Sequence, residues 1–473
     1  MEKKRRVLVI GLDCAAPELV FDQWREQLPT FAKLMDEGIY ARLESCMPPI
    51  TVPAWMSMLT SKDPGQLGIY GFRNRLEHNY KETAVANSTY IKEPVVYDVL
   101  GQHDKHSTVV GIPCTYPPRQ VNGEMVTCFL TPGLKSQFTY PPELREEVLS
   151  VVPDYMFDVK DFRTENTDYL LQQIYQMTDR RFKLVRHLMD AKPWDFFMFV
   201  EMGTDRIHHG LWKYMDPQHR KHPGPTPFLH SIREYYRYLD GQIASLLSRV
   251  GDETTVMIVS DHGAKRMDGG ICINDWLIRE GYLVLKSRPE GIVNLNQCEI
   301  DWERTRAWGA GGYYARVFLN VRGREPSGCV APEEYDSLRA ELTAKLQALP
   351  DDSGRPMGTR VAKPEWTYRE VKNIAPDLIV LFGDLLWRSV GTVGNGSIYT
   401  FENDTGPDDA NHAQFGMVIM RDARLTQRGE VAPRHLMDVA PTILEALDVP
   451  VPADMRGTPI QHAVPIPAGV HIG

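Results

Sequence analysis

The chain is predicted to be an α/β protein, a mostly parallel sheet with helices on both faces, from three observations. Short, continuously apolar runs recur at 7–12, 108–112, 196–200, 254–259 and 378–382, the pattern of strands buried on both sides. Between them lie helical faces with three-four spacing: Leu170, Ile174, Met177, Leu184, Val185 and Leu188, then Ile232, Tyr235, Leu239, Ile243, Leu246 and Val250. Strands that alternate with helices imply a parallel sheet. Third, 473 residues with 42% hydrophobic and 24% charged side chains are ordinary globular values, enough to bury a large core without disulfides.

Taken in order, 7–12 is the first buried strand, and 29–38 is a short helix with Pro29 early and Gly38 just past its end. In the segment 48–60, Pro53 at the first helical position places Thr51 or Val52 at a helix N-cap. From about 270 to 405 the chain turns rich in Gly and Pro with short alternating stretches such as 315–321, which reads as an inserted cap. The segment 438–447 reads as a closing helix before a Pro-rich tail. This gives a first core part at 1–269, a cap at 270–405 that includes some core strands, and a closing core part at 406–473. There is no internal repeat.

Charge and cysteine content exclude several functions. Lys and Arg number 53 against 62 Asp and Glu, a net charge of −9 with no acidic tail, which does not fit a nucleic-acid groove. Seven scattered cysteines without a C-x-x-C pair fit neither a disulfide framework nor a thiolate zinc finger, and point to a reducing compartment. Lys3, Lys4, Arg5 and Arg6 before 7–10 look like the start of a signal peptide, but the apolar run is too short and meets Asp13. With no run of about 18 apolar residues, no membrane span is expected. The expectation is a cytoplasmic protein, and nothing in the sequence speaks to its oligomeric state.

Three predicted strands lead into an acidic residue: Asp13 after 7–12, Asp205 after 196–200, and Asp261 after 254–259. In open parallel sheets ligands bind beyond the carboxyl ends of strands, so the three carboxylates are candidates for one site. Imidazoles accompany them. His262 follows Asp261, His209 lies four residues after Asp205, and His412 sits in a polar loop, 411–414. Asp-x-x-x-His at a helix start puts both side chains on one face, a turn apart. Carboxylate and imidazole without thiolate is the donor set of hydrolytic Zn²⁺ or Mn²⁺ sites, and three of each suffice for two divalent ions. Adjacent helical residues point about 100° apart, so His208 is expected to face the substrate or to support a ligand from behind rather than to hold the ion. Thr51 is the candidate nucleophile, since a bound divalent ion lowers the pKa of a coordinated hydroxyl. The plainer role for Thr51 is to cap its helix.

Asp13, Thr51-x-Pro53, Asp205-x-x-x-His209, Asp261-His262-Gly263 and His412 together resemble, in order and rough spacing, the type I phosphodiesterase/nucleotide pyrophosphatase branch of the alkaline phosphatase superfamily. The likeness runs from about residue 7 to 457, and its closest flavour is the cytosolic prokaryotic group of predicted phosphohydrolases and phosphomutases. It implies an alkaline-phosphatase-like three-layer sandwich. It also implies one ion held by Asp205, His209 and His412, and a second by Asp13, Asp261, His262 and the Thr51 oxygen. Thr51 would then attack phosphorus to give a phosphothreonine that water hydrolyses.

The implied activity is cleavage of a phosphoester, foremost a phosphodiester, in a small phosphorylated substrate. A phosphomonoesterase or phosphomutase, and a non-catalytic metal-stabilised phospho-ligand binder, are the alternatives. Where the family resembles T-x-P-N this chain has Ala54, so another donor must contact the phosphoryl group. Candidates are the backbone N–H groups after Thr51, Lys265, Arg73 and Arg75. A sulfatase would need Cys or Ser at Thr51, and a dinucleotide-binding oxidoreductase would need the G-x-G-x-x-G fingerprint that 11–15 lacks.

Overall fold

A computed structural model describes residues 5–462. Lys3 and Lys4, and the end of the Pro-rich tail, lie outside the described residues. Four of the five apolar runs form the centre of a 10-stranded sheet. In chain order its strands are β1 (Arg6–Leu12), β2 (Ile39–Glu44), β3 (Ser107–Val110), β4 (Gly123–Val126), β5 (Thr139–Tyr140), β6 (Phe196–Glu201), β7 (Thr254–Val259), β8 (Phe415–Arg421), β9 (Gly429–Glu430) and β10 (Arg434–His435). Across the sheet they run β9-β2-β8-β7-β1-β6-β3-β4-β5, with β10 also beside β2. The central strands β7, β1, β6, β3 and β4 pair in parallel. Every residue of β6 and β7 is buried, as continuous apolar runs demand. Strand β8 pairs antiparallel with both β2 and β7. It carries the same apolar signal, Met417 to Met420, without being flanked by a helical pattern.

Helices cover both faces, giving a three-layer α/β sandwich. Among them are α1 (Pro29–Glu37), α2 (Thr51–Thr60), α3 (Thr167–Ala191), α4 (Gly203–Met215), α5 (Ser231–Leu247) and α6 (Val439–Ala446). α4 packs between α3 and α5, whereas α6 packs on α2.

The fifth run departs from expectation. Leu378–Leu381 is fully buried but belongs to a separate four-stranded antiparallel sheet with Ala307–Ala310, Ala315–Leu319 and Arg360–Ala362. A continuous apolar run reports burial on both faces and does not say which sheet buries it. That smaller sheet has its own core, with Trp276, Trp308, Phe318, Leu342 and Val380. A third cluster of Ile50, Tyr70, Tyr314, Tyr368 and Ile379 joins it to the start of α2.

Candidate active site

The acidic residues converge because β7, β1 and β6 are neighbours in the sheet and parallel, so their carboxyl ends share one edge. Asp13 follows β1, with its N–H donating to Glu201 O on β6 at 3.1 Å. Asp261 and His262 follow β7, and Asp205 occupies the first turn of α4 just after β6. His412 arrives from the far end of the chain on a strand rather than the expected loop. Ala410–Ala413 pairs antiparallel with Gly263–Arg266, with His412 opposite Ala264. Pairing with the chain just past Asp261-His262 is what delivers it.

These side chains form two adjoining donor groups. One donor atom each from Asp205, His209, His412 and Cys14 lie within 4.8 Å of one another, and so do donor atoms of Asp13, Asp261 and His262. His209 Nε2 is 3.3 Å and His412 Nε2 4.0 Å from Asp205 Oδ1. His262 Nε2 is 3.2 Å from Asp261 Oδ2. The His262 and His412 rings stack with centroids 3.8 Å apart, which joins the two groups.

Thr51 reaches the same point. Helix α2 starts at Thr51 with Ile50 as its N-cap and with no side-chain cap bond, so Thr51 is the first helical residue and does not cap the helix. Its hydroxyl is 3.4 Å from His262 Nε2. The N–H groups of Thr51 and Val52 have no carbonyl a turn before them within the helix, and Pro53 has no N–H. Ala54 N–H is spent on Ile50 O at 2.9 Å.

Each imidazole is turned by a bond to Nδ1 that leaves Nε2 facing the carboxylates. His209 Nδ1 donates to Asp408 Oδ1 at 2.7 Å, His412 Nδ1 to Pro49 O at 2.7 Å, and His262 Nδ1 to Gly263 O at 3.1 Å. This is the arrangement by which proteins fix the metal-binding nitrogen. On the carboxylate side, Trp55 Nε1 donates to Asp13 Oδ2 at 2.6 Å, and the Cys14 N–H to Asp261 Oδ1 at 3.2 Å. Gly11 makes the first contact possible, because a Cβ there would lie 2.6 Å from the Trp55 ring.

Burial, and after it the Asp205 charge, raises the Asp13 carboxyl well above the usual carboxylate range. Burial and the Asp13 charge do the same to Asp261. Asp205 is held well below that range: burial opposes its charge, but His209 and Arg206 outweigh it. Burial pushes His262 down to about 4 and His412 well below its ordinary value. His209 goes the other way, to about 10, because Asp408 and Asp205 overcome its burial. Asp13 Oδ1, Asp261 Oδ2 and His209 Nε2 are buried without a well-directed hydrogen bond. Three neighbouring buried carboxylates, with orphaned oxygens and buried imidazole nitrogens turned toward them, are a donor set that divalent cations fit.

The expected substrate-binding residues fare differently. Lys265 is turned away, its Nζ bonded to Asp384 O at 2.8 Å. Arg73 sits in a hairpin and lines a cavity of about 660 Å³, with Arg75, Arg316, Arg388 and Trp308. The same cavity is walled by Gly311 and Gly312, next to Tyr313, whose ring stacks on His209 with centroids 4.9 Å apart. Arg75 is paired with Glu325 at 3.5 Å. His208 is instead fully buried with its Nε2 3.2 Å from the Tyr236 hydroxyl, and burial pushes it down to about 3. The helical turn that aims His209 at the carboxylates aims its neighbour into the core.

Sequence reasoning missed Asp408 and Tyr313. Asp408 is held by His209, by the Tyr313 hydroxyl donating at 3.1 Å and by Arg163 Nη2 at 3.2 Å. Neither follows one of the continuous apolar runs or falls in a spacing motif. The Asp408-Asp409 pair four residues before His412 was the one available signal.

A mostly parallel sheet with carboxylates and imidazoles gathered at its carboxyl edge beside a helix-start threonine defines an alkaline-phosphatase-like hydrolase. The chain belongs to the type I phosphodiesterase / nucleotide pyrophosphatase family, whose model matches residues 7–408, and it is an enzyme of phosphoester hydrolysis. Among solved structures, human ectonucleotide pyrophosphatase / phosphodiesterase 5 superposes with a TM-score of 0.57 at 12% identity, covering 96% of this chain and 98% of that one. An inactive threonine-to-alanine variant of the murine enzyme in complex with AMP gives 0.55 at 12% identity, covering 95% and 96%. Comparison with curated proteins gives no match. Among the described residues no helix is long and apolar enough to cross a membrane.

Proposed function

We propose that the chain hydrolyses a phosphodiester through a phosphothreonine on Thr51, with Asp205, His209 and His412 holding one divalent ion and Asp13, Asp261, His262 and the Thr51 oxygen a second. The observation that carries this reading is the Thr51 hydroxyl 3.4 Å from His262 Nε2, in the donor group that the stacked His262 and His412 rings join to the other. Zn²⁺ or Mn²⁺ suits the mixed nitrogen and oxygen donors. Such an ion pair, when bound, lowers the pKa of a coordinated hydroxyl and neutralises charge on the phosphoryl oxygens.

The residues themselves do the rest. The first turn of α2 aims Thr51 Oγ1 at phosphorus and offers the Thr51 and Val52 N–H groups to a phosphoryl oxygen, in place of the donor that Ala54 lacks. Attack forms the Oγ1–P bond and breaks the bond to the leaving oxygen, which takes up a proton. Water then cleaves the phosphothreonine and restores the hydroxyl, so configuration at phosphorus is retained over two displacements. No separate general base is assigned.

A diester is favoured over a monoester by the state of the cations nearby. A monoester dianion wants additional Arg or Lys. Arg206 is bound to Asp205 and Asp158, Arg163 to Asp408, Arg388 to Asp404, and Lys265 to Asp384. The arginine-lined cavity beside Tyr313 gives room for a large substituent, and the AMP bound to the murine neighbour suggests a nucleotide-like one. All seven cysteines are free thiols, which supports a reducing, cytoplasmic setting.

The deciding experiment is Thr51→Ala assayed on bis-p-nitrophenyl phosphate, with p-nitrophenyl phosphate as the monoester control. Diester turnover is expected to fall to background while the circular dichroism spectrum is unchanged. Activity within about tenfold of wild type, some 1.4 kcal/mol of barrier, refutes the nucleophile.

A further inference from the structure

Cys14 plays no part in the reading above, yet its thiol lies within the same donor group as Asp205, His209 and His412. It follows Asp13 directly, is fully buried, and holds its backbone in the left-handed region at φ 63°. Its Sγ and one donor atom each of Asp205, His209 and His412 lie within 4.8 Å of one another. A second feature points to a ligand at that spot. His209 is 1% exposed, its Nδ1 is committed to Asp408, and its Nε2 has no well-directed hydrogen bond.

We infer that Cys14 is a thiolate ligand of the ion held by Asp205, His209 and His412, so that this site is a Cys-Asp-His-His set. The inference rests on the two-ion reading of the site and adds a ligand to it. On binding, the Cys14 S–H bond breaks and an S–metal bond forms. The proton on His209 Nε2 in the metal-free chain is displaced as well; it and the thiol proton pass to solvent, and no electron is transferred. The thiol proton is the one Cys14 now donates to Gly263 O at 3.3 Å.

Two consequences separate this set from one of carboxylate and imidazole alone. A thiolate and a carboxylate together cancel the double charge of the ion, so the site as a whole is neutral. Soft sulfur also widens the preference for Zn²⁺ over Mn²⁺ at this position, while the Asp13, Asp261 and His262 site, with no thiol, lacks that added bias. Cys14, Asp205, His209 and His412 would supply four protein donors, the number that a zinc ion commonly takes.

The test uses the full chain reconstituted with Co²⁺, whose binding is counted by metal analysis and whose near-ultraviolet absorption reports sulfur ligation. The expected result is about two ions per chain, a thiolate-to-cobalt charge-transfer band in the wild type, and loss of that band in Cys14→Ser. Should Cys14→Ser fold poorly, Cys14→Gly removes the thiol and suits the left-handed backbone. Zinc affinity in either variant should fall relative to manganese affinity by at least about tenfold. Two bound ions without the band, or a band that survives both substitutions, overturns the Cys14 assignment and leaves the hydrolase reading standing. Failure to bind any ion overturns both.

Discussion

Asp408 holds the Nδ1 of His209 at 2.7 Å and is itself held by Tyr313 and Arg163, so the charge that keeps this imidazole oriented comes from a residue outside both donor groups. Asp408→Asn keeps an acceptor but removes the charge. Metal affinity at the Asp205-His209-His412 group should fall about 10–100-fold, read by competition against a chelator, with the fold retained. Trp55→Phe removes the donor to Asp13 Oδ2 and leaves a buried carboxylate oxygen unpaired. It should cost about 1–3 kcal/mol in denaturant unfolding of the metal-free protein; no change would mean that Asp13 repacks to find another donor. The six acidic and imidazole residues were readable in the sequence because five are fixed by a strand end or a one-turn spacing, and the sixth by its polar surroundings. Asp408 and Tyr313 were not. Their place follows from the pairing of Ala410–Ala413 with Gly263–Arg266 and from the packing of the inserted sheet, and neither is encoded locally.

Helices and strands show a similar division. The two long amphipathic helices appear where their apolar faces placed them, as α3 and α5. The start of α2 lies at Thr51 and not one or two residues later, because extended Ile50 takes the N-cap position and leaves Thr51 free. The run near 378 was read into the main sheet because burial on two sides looks alike in either sheet. At the entry to α6, the Met437 N–H donates to His435 Nδ1 at 3.1 Å, which requires that nitrogen to be unprotonated. Burial lowers His435 below its ordinary value of 6.5. Above that pH the residue is neutral in both folded and unfolded chains and costs nothing. As pH falls through 6.5 the unfolded chain takes up the proton first, so stability declines. His435→Asn can accept the same bond without titrating, and should lessen the loss of thermal stability as pH falls below 6.5.

For the molecule as a whole, the dominant electrostatic fact is a buried edge where Asp13, Asp205 and Asp261 meet, each at most 2% exposed. Ions that bind the folded chain alone add stability by mass action, about 2.7 kcal/mol for each at a hundredfold excess over Kd. Chelation should therefore lower the melting temperature, and Zn²⁺ or Mn²⁺ should restore it. An unchanged melting temperature after verified metal removal would contradict an ion at the edge.

Ile50, the residue just before Thr51, packs with Tyr314, Tyr368 and Ile379 of the inserted region. The part of the chain that carries the smaller sheet thus also sets the backbone from which Thr51 projects. Grafting an inserted region from a relative would disturb the position of the hydroxyl as well as the choice of substrate, unless these apolar partners travel with the graft. Substitutions at the cavity wall around Arg73, Arg316 and Trp308, away from the seam at Ile50, should by contrast leave the position of Thr51 unchanged.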